Sequence, residues 1–310
     1  MNSKLPLPTL ETVKKGIDEL LLIDNWEQYK MKSSPRRFEK KLHQLFHKHL
    51  GTFPSVIQLG NSDSFPFKLY RVRKKTANMN QSLLSEYSHP PVSLCKSYQR
   101  ANIPYHPVFY CSANPGSALS ETRKDNFKEQ TYFLSEWEFR PNEKINICPF
   151  VFDNFHVESH YYPLSEQYLQ KARDVVKDYT QSEIDAFEEV LKFLSQLFMY
   201  ENAYVVTSFI AHFNLYANHS NRSDVFMYPC LPSNRKSINF AIHPNAVTQK
   251  MVLNKVFQLR IKDLDLVEGN FTISFIDMAK NINGKLVWSP INDDNEEAVS
   301  EIARFFNKKA

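Results

Sequence analysis

The stretch RANIPYHPVFYCSANPGSALSE, Arg100 to Glu121, places a guanidinium and a carboxylate at the two ends of one short piece of chain. An arginine donates hydrogen bonds to anions, and a carboxylate accepts them. Pro104 and Pro107 are too rigid for a helix interior, so residues 101–107 are predicted as a loop. VFYCS, Val108 to Ser112, is a short apolar run rich in strand formers and reads as a buried strand. Asn114, Pro115 and Gly116 break it, and Ser117 is then predicted to cap a helix beginning SALSETR, with Glu121 in its second turn. Loop, strand, turn and helix start thus bring Arg100, Tyr110, Ser117 and Glu121 near one strand. A surface arginine and a solvated glutamate flanking an ordinary strand fit the same pattern.

A second set of charges lies upstream. FKLYRVRK, Phe67 to Lys74, alternates as a strand does and carries Arg71 and Arg73. Two positions apart on a strand means the same face, so both guanidiniums can converge on one anion.

The remaining elements must position these groups. Residues 1–50 read as separate helices, with Thr9 or Thr12 capping one and Pro35 near the first turn of the next. The second helix has a basic face of Arg36, Arg37, Lys40, Lys41 and Lys48, which fits a solvated surface. His43, His47 and His49 lack a carboxylate or cysteine at ligand spacing, so no metal is expected there. Gly51, Pro54 and GNSDS mark a boundary, giving a helical extension over 1–60 and a main domain over 61–310. Residues 131–140 and 145–152 read as two strands of a hairpin. Helices follow at 165–179, 182–201 and 204–220; His212 on the last fits a satisfied side chain better than a ligand. Strands return at 224–230, 237–244, 256–264 and 271–279, and NEEAVSEIARFF closes the chain as a helix. Strands, helices, then strands without a βαβ repeat indicate an α+β fold.

Composition narrows the function. Only 6 of 310 residues are Gly, and neither GxGxxG nor GxxxxGK[ST] occurs, which argues against glycine-rich nucleotide loops. A formal charge of +4 does not by itself imply nucleic acid. Cys95, Cys111, Cys148 and Cys230 form no CxxC pair and are expected as reduced thiols of a cytoplasmic protein. The N-terminus MNSKLPLPTLETVKK has no apolar signal core, and no apolar run approaches the roughly 18–20 residues that span a bilayer.

Four segments in order, LYRVR (69–73), RANIPYHPVFY (100–110), SALSE (117–121) and DVFMYPCLPSNRKSINFAIHP (224–244), resemble the RES-domain family, named for an arginine, a glutamate and a serine. The resemblance covers roughly residues 65–260, and 1–60 resembles the helical extension of longer members. It implies a compact core like that of ADP-ribosyltransferases, a split β-sheet with flanking helices that binds NAD in a cleft. It implies a bacterial toxin whose partner is a small antitoxin protein. Its substrate is NAD, cleaved at the nicotinamide–ribose bond by hydrolysis, phosphorolysis or transfer of ADP-ribose to a protein, with no metal.

Carried onto this chain, Arg71 and Arg100 would hold the pyrophosphate, with Arg73 beside Arg71. Glu121 would stabilise the oxocarbenium-like ribose as carboxylates do in glycoside hydrolysis. Tyr110 would stack on nicotinamide or donate its hydroxyl, Ser117 would hydrogen-bond ribose or phosphate, and Asn239 would lie on the family's Asn-containing strand. Cys230 stands in YPC where the family's YPS serine is expected, and Gln99 precedes Arg100 in place of a glycine. A thiol is a weaker hydrogen-bonding group than a hydroxyl, so a catalytically weakened module that binds a protein partner or RNA is the alternative.

Overall fold

Thr9 and Ser34 each present a side-chain oxygen to a backbone N–H three residues on, and each begins a helix: α1 (Leu10–Leu21) and α2 (Pro35–Leu50), the latter with Pro at its first position. The structure is a computed structural model describing residues 7–54, 57–65, 67–121, 130–152, 155–159, 161–200, 204–216, 222–265, 270–292 and 296–307. Further along come β1 (Gln58–Asn61), β2 (Leu69–Lys74), β3 (Phe109–Ser112), α3 (Pro115–Ser120), β4 (Thr131–Phe139) and β5 (Lys144–Pro149). Three helices follow, α4 (Tyr162–Val175), α5 (Gln181–Gln196) and α6 (Tyr204–Leu215). The chain then runs through β6 (Val225–Pro229), β7 (Ile238–Ile242), α7 (Pro244–Lys250), β8 (Met251–Asp265), β9 (Asn270–Ile282), β10 (Lys285–Pro290) and α8 (Glu296–Asn307). The class is α+β.

Two compact units are each assembled from three stretches of chain. The first comprises Met1–Leu59, Pro91–Pro107 and Asn146–Pro229; the second comprises Gly60–Pro90, Val108–Ile145 and Cys230–Ala310. The first unit is mainly helical. α1 crosses α2 at Gly16, where a Cβ would overlap the carbonyl oxygen of His49, so only glycine permits the approach. Phe38, Phe46 and Phe53 pack on Phe209 of α6, with ring centroids 5.2–6.1 Å apart. β5 and β6 pair in parallel, Ile147 opposite Val225. Phe187, Val190, Leu191, Leu194 and Leu197, expected as core from their spacing, are all buried. His212 is buried as well, with Nε2 3.4 Å from the Glu39 carboxylate and its ring 4.8 Å from that of Tyr216.

The second unit is built on strands in the order β7-β3-β2-β4-β8-β9-β10, each antiparallel to its neighbours. β4 has β2 on one side and β8 on the other, so the hairpin expected between 131–140 and 145–152 does not form. Both edges of β4 are taken by strands distant in sequence, and a β-strand has only two edges. α7 and β10 are additional to the elements expected from sequence. β10 follows a two-residue turn in which Asn283 and Gly284 both take positive φ, the pattern of a hairpin turn matched to strand twist.

One face of this sheet is covered by α3 and α8. Ala118 and Leu119 of α3 and Ala298 of α8 join Tyr70, Tyr132, Leu134, Phe257, Leu259 and Met278 in one buried cluster. A six-residue helix has no stability of its own in water, so burial of Leu119, worth roughly 1.5–3 kcal/mol, is what holds α3 in place. On the opposite face Phe109 packs edge-on to Trp137, and Phe133 against Tyr87 and Trp288.

Candidate active site

The site follows from the pairing of β3 with β7. Ser112 lies opposite Asn239 and Tyr110 opposite Ala241. Residues directly opposite share a face, as do residues two apart on one strand, so Tyr110, Ser112 and Asn239 look to the α3 side. α3 starts where β3 ends. Asn114, not Ser117, is its cap: Asn114 Oδ1 accepts from the Ser117 N–H at 2.8 Å, and Pro115 takes the first helical position. The expected Ser117 cap is thus displaced by three residues, because Asn followed by Pro is the stronger helix start. Asn114 also donates through Nδ2 to the Ser237 hydroxyl at 2.8 Å, tying the helix start to the foot of β7.

The shift puts Glu121 at the C-terminal end of α3, where its residue is exposed but its carboxylate is anchored. Oε1 accepts from Asn239 Nδ2 at 2.7 Å and faces Cys230 Sγ at 3.7 Å. Asn239 Oδ1 in turn accepts from the Ser112 hydroxyl at 2.6 Å. Ser112, Asn239 and Cys230 are all buried. Burial, together with the charge of Glu121, pushes the Cys230 thiol up to about 12, so it remains an S–H that can donate to the carboxylate. The Ser233 hydroxyl donates to the Cys230 carbonyl at 2.9 Å, and Ser208 in the first unit donates to the Val205 carbonyl of its own helix.

The arginines sit in other surroundings. Tyr70 lies opposite Ser112, so Arg71 and Arg73 are turned to the face away from Ser112 and Asn239. Arg71 donates from Nη1 to the Tyr110 carbonyl at 2.9 Å and lies over the Phe109 ring at 5.3 Å. Arg73 donates to the Glu86 carbonyl and faces the Glu86 carboxylate at 3.4 Å. The two share a face, as their spacing predicts, yet each is engaged by a different partner. Arg100 belongs to the first unit, where it donates to the Phe198 carbonyl and lies 5.4 Å from the Tyr204 ring. Tyr110 is half-buried, and Ser117 is buried in the first turn of α3.

Glu121, Asn239 and Cys230 therefore meet, with Ser117 on the same short helix. Ser112 and Asn114 join them; neither stands out as a site residue from sequence, although both lie inside the Arg100–Glu121 stretch. Chemically, this is a carboxylate with neutral donors beside it at the surface, a group that accepts from hydroxyl groups or offsets a nearby cation. Among the described residues no group of three or more His, Cys, Asp or Glu side chains is placed to hold a metal ion, and no helix is long and apolar enough to cross a membrane.

No family model and no curated protein matches this chain. A chain from the crystal structure of the M. tuberculosis MbcT–MbcA toxin–antitoxin complex is similar over 66% of this chain and 86% of its own, at 10% identity and a TM-score of 0.30. A score of that size is too low to equate residues, and no residue role is taken from it.

Proposed function

We propose that this protein consumes NAD by breaking the bond between nicotinamide and ribose. The observation that carries the reading is the Glu121 carboxylate, fixed at 2.7 Å by Asn239 and backed by Cys230, all three within RES-like segments of the sequence. The C1′–N bond breaks with its electron pair leaving on nicotinamide. Positive charge then grows on the ribose carbon, and a preorganised carboxylate lowers the free energy of that state. Water, phosphate or a protein side chain completes the reaction as acceptor of ADP-ribose. Tyr110, on the same sheet face, supplies an aromatic surface for nicotinamide. The resemblance gives the pyrophosphate to Arg71, Arg73 and Arg100, but Arg71 and Arg73 lie on the sheet face away from Ser112 and Asn239 and all three donate to backbone carbonyls, so the reading rests on Glu121 and not on the arginines. In a cell the reading entails a toxin held in check by a small antitoxin protein.

The second reading, an interaction module with weakened chemistry, is favoured by the same arginines being engaged with backbone carbonyls and by Cys230 in place of serine. One experiment separates the two. Purified protein is incubated with NAD and free nicotinamide is measured over time, for the parent and for Glu121→Gln. Release by the parent and its loss in the variant support the enzyme; no release by a folded parent rejects it. Expression without an antitoxin should likewise stop growth with a fall in cellular NAD, and Glu121→Gln should relieve both. Growth arrest with NAD unchanged would move the target elsewhere.

A further inference from the structure

We propose that Ser112 is a positioning residue for Glu121, acting through the Asn239 amide; the catalytic part of this rests on the NAD-cleaving reading above. The argument is one of hydrogen-bond direction. An ionised carboxylate only accepts, so the Asn239 group facing Glu121 Oε1 at 2.7 Å must be the NH₂. The amide oxygen then faces Ser112, and since that oxygen also only accepts, the Ser112 hydroxyl must donate across their 2.6 Å. Each link leaves the next one choice, and the chain runs from Ser112 through Asn239 to Glu121.

The sheet sets this geometry. Ser112 and Asn239 are directly opposed in the β3–β7 register, so their separation is fixed by the ladder and not by loop packing. Both are almost wholly enclosed, at 2% and 5% exposure, so water is poorly placed to replace either partner. The torsion that turns an asparagine amide is broad and weakly restrained by its own sterics. Without the Ser112 hydroxyl the amide loses the contact that holds it square to Glu121, and its oxygen becomes a buried acceptor short of a donor. Ser112 touches no substrate; its effect is on where the carboxylate points.

The experiment has two arms. In the first, nicotinamide release is measured for the parent, Ser112→Ala and Ser112→Thr. Ser112→Ala should lower kcat about tenfold with the KM for NAD unchanged, and Ser112→Thr, which keeps the hydroxyl, should recover most of the loss. Equal kcat in parent and Ser112→Ala overturns the proposal, as does a loss that appears only in KM. The second arm needs no activity. Thermal unfolding of the parent, Ser112→Ala, Glu121→Ala and the double variant forms a cycle between residues joined through Asn239. The cost of Ser112→Ala should shrink by about 2 °C or more once Glu121 is gone. Strict additivity overturns the proposal whether or not the protein cleaves NAD. A parent that releases no nicotinamide rejects the functional reading alone, and the cycle still decides the role of Ser112. Should Ser112→Ala not fold, Ser112→Cys, which keeps the volume and weakens the donor, replaces it in both arms.

Discussion

Two carboxylates lie on the same face of the second unit's sheet, and their surroundings differ in kind. The pairings Asn239–Ser112, Ser112–Tyr70, Tyr70–Glu136 and Glu136–Lys255 place five residues in one row across β7, β3, β2, β4 and β8. Glu121 caps the β7 end of this row. It is exposed, and its oxygen is held by an amide and a thiol, both neutral. Glu136 sits mid-row at 3% exposure. Tyr70 donates to it at 3.2 Å, and the ammonium groups of Lys68 and Lys255 lie 3.1 and 3.7 Å away. Lys255 also meets Glu301 of α8. Cations surround Glu136, whereas among the described residues the partners that fix the Glu121 carboxylate are neutral donors. A buried carboxylate between ammonium groups belongs to the architecture; an exposed one held by amide and thiol is available for chemistry.

The same substitution at both sites tests that contrast. Glu121→Gln should reduce nicotinamide release by a hundred- to a thousandfold, about 3–4 kcal/mol on the barrier, because it removes charge where the cation develops. Its unfolding temperature should stay within a degree or two of the parent's. Glu136→Gln should do the reverse. The amide leaves Lys255 and the half-exposed Lys68 beside a neutral group, for a loss of about 2 kcal/mol, or roughly 4–8 °C in thermal unfolding. Turnover by the fraction still folded should match the parent's. If Glu136→Gln abolished turnover while leaving stability intact, the two carboxylates would have to exchange roles.

Cys230 and Cys111 sharpen the comparison at the scale of about 1 kcal/mol. Both thiols are buried, and burial raises both, but Cys230 faces Glu121 while Cys111 lies on the Arg71 side of the sheet. Cys230→Ser should preserve or raise nicotinamide release, and Cys230→Val should lower it a few-fold. Cys111→Val should leave it unchanged; equal rates for every Cys230 variant would make that thiol core alone. The pH dependence has a definite sign. An unfolded cysteine deprotonates near pH 8.5, whereas folded Cys230 holds its proton to about 12. Its contribution to stability is therefore complete below about pH 8.5 and declines as pH rises toward 12, by up to about 1.4 kcal/mol per unit. The stability of the parent, measured by chemical denaturation between pH 8 and 11, should fall more steeply than that of Cys230→Ser.

Much of the site is legible in the chain because its parts are local. VFYCS has the composition of a buried strand, and the turn after it forces a helix that delivers Glu121 a few residues later. The helix cap lies three residues before the expected Ser117 because Asn114-Pro115 does two things at once. It ends the strand, and Asn before Pro is itself a helix start. Asn283-Gly284 is the strongest kind of short hairpin signal, yet the segment after it, KLVWSP, has a blurred alternation and ends in proline. Pairing with the long β9 is what makes a strand of it. The rest is not local. Ser112 and Asn239 are 127 positions apart, and only the β3–β7 register brings them together. That Arg71 faces away from Ser112 follows from Tyr70 lying opposite Ser112, which no single strand reveals. The hairpin expected after β4 fails for the same reason: neighbours in sequence are a default that distant strands override.

Further along the row lies a pair that should matter least. Lys280 lies opposite Lys255 in the β8–β9 register and forms an ion pair with Glu297 of α8, much as Lys255 does with Glu301. By geometry the two pairs are alike. By burial they are not: the Lys280 and Glu297 side chains are 37% and 67% exposed, against 15% and 19% for Lys255 and Glu301. Water competes for both exposed groups, salt screens them, and holding two long side chains in one arrangement costs entropy. Lys280→Ala should therefore shift stability by no more than about 0.5 kcal/mol, and that shift should vanish in high salt. Lys255→Ala should cost more than this and should keep most of its cost in salt, because it strips the buried Glu136 of a half-buried counter-charge. Chemical denaturation of the two variants at low and high ionic strength measures both. A Lys280 effect as large and as salt-resistant as that of Lys255 would mean that burial does not rank the row, and the contrast between Glu121 and Glu136 would lose its physical basis.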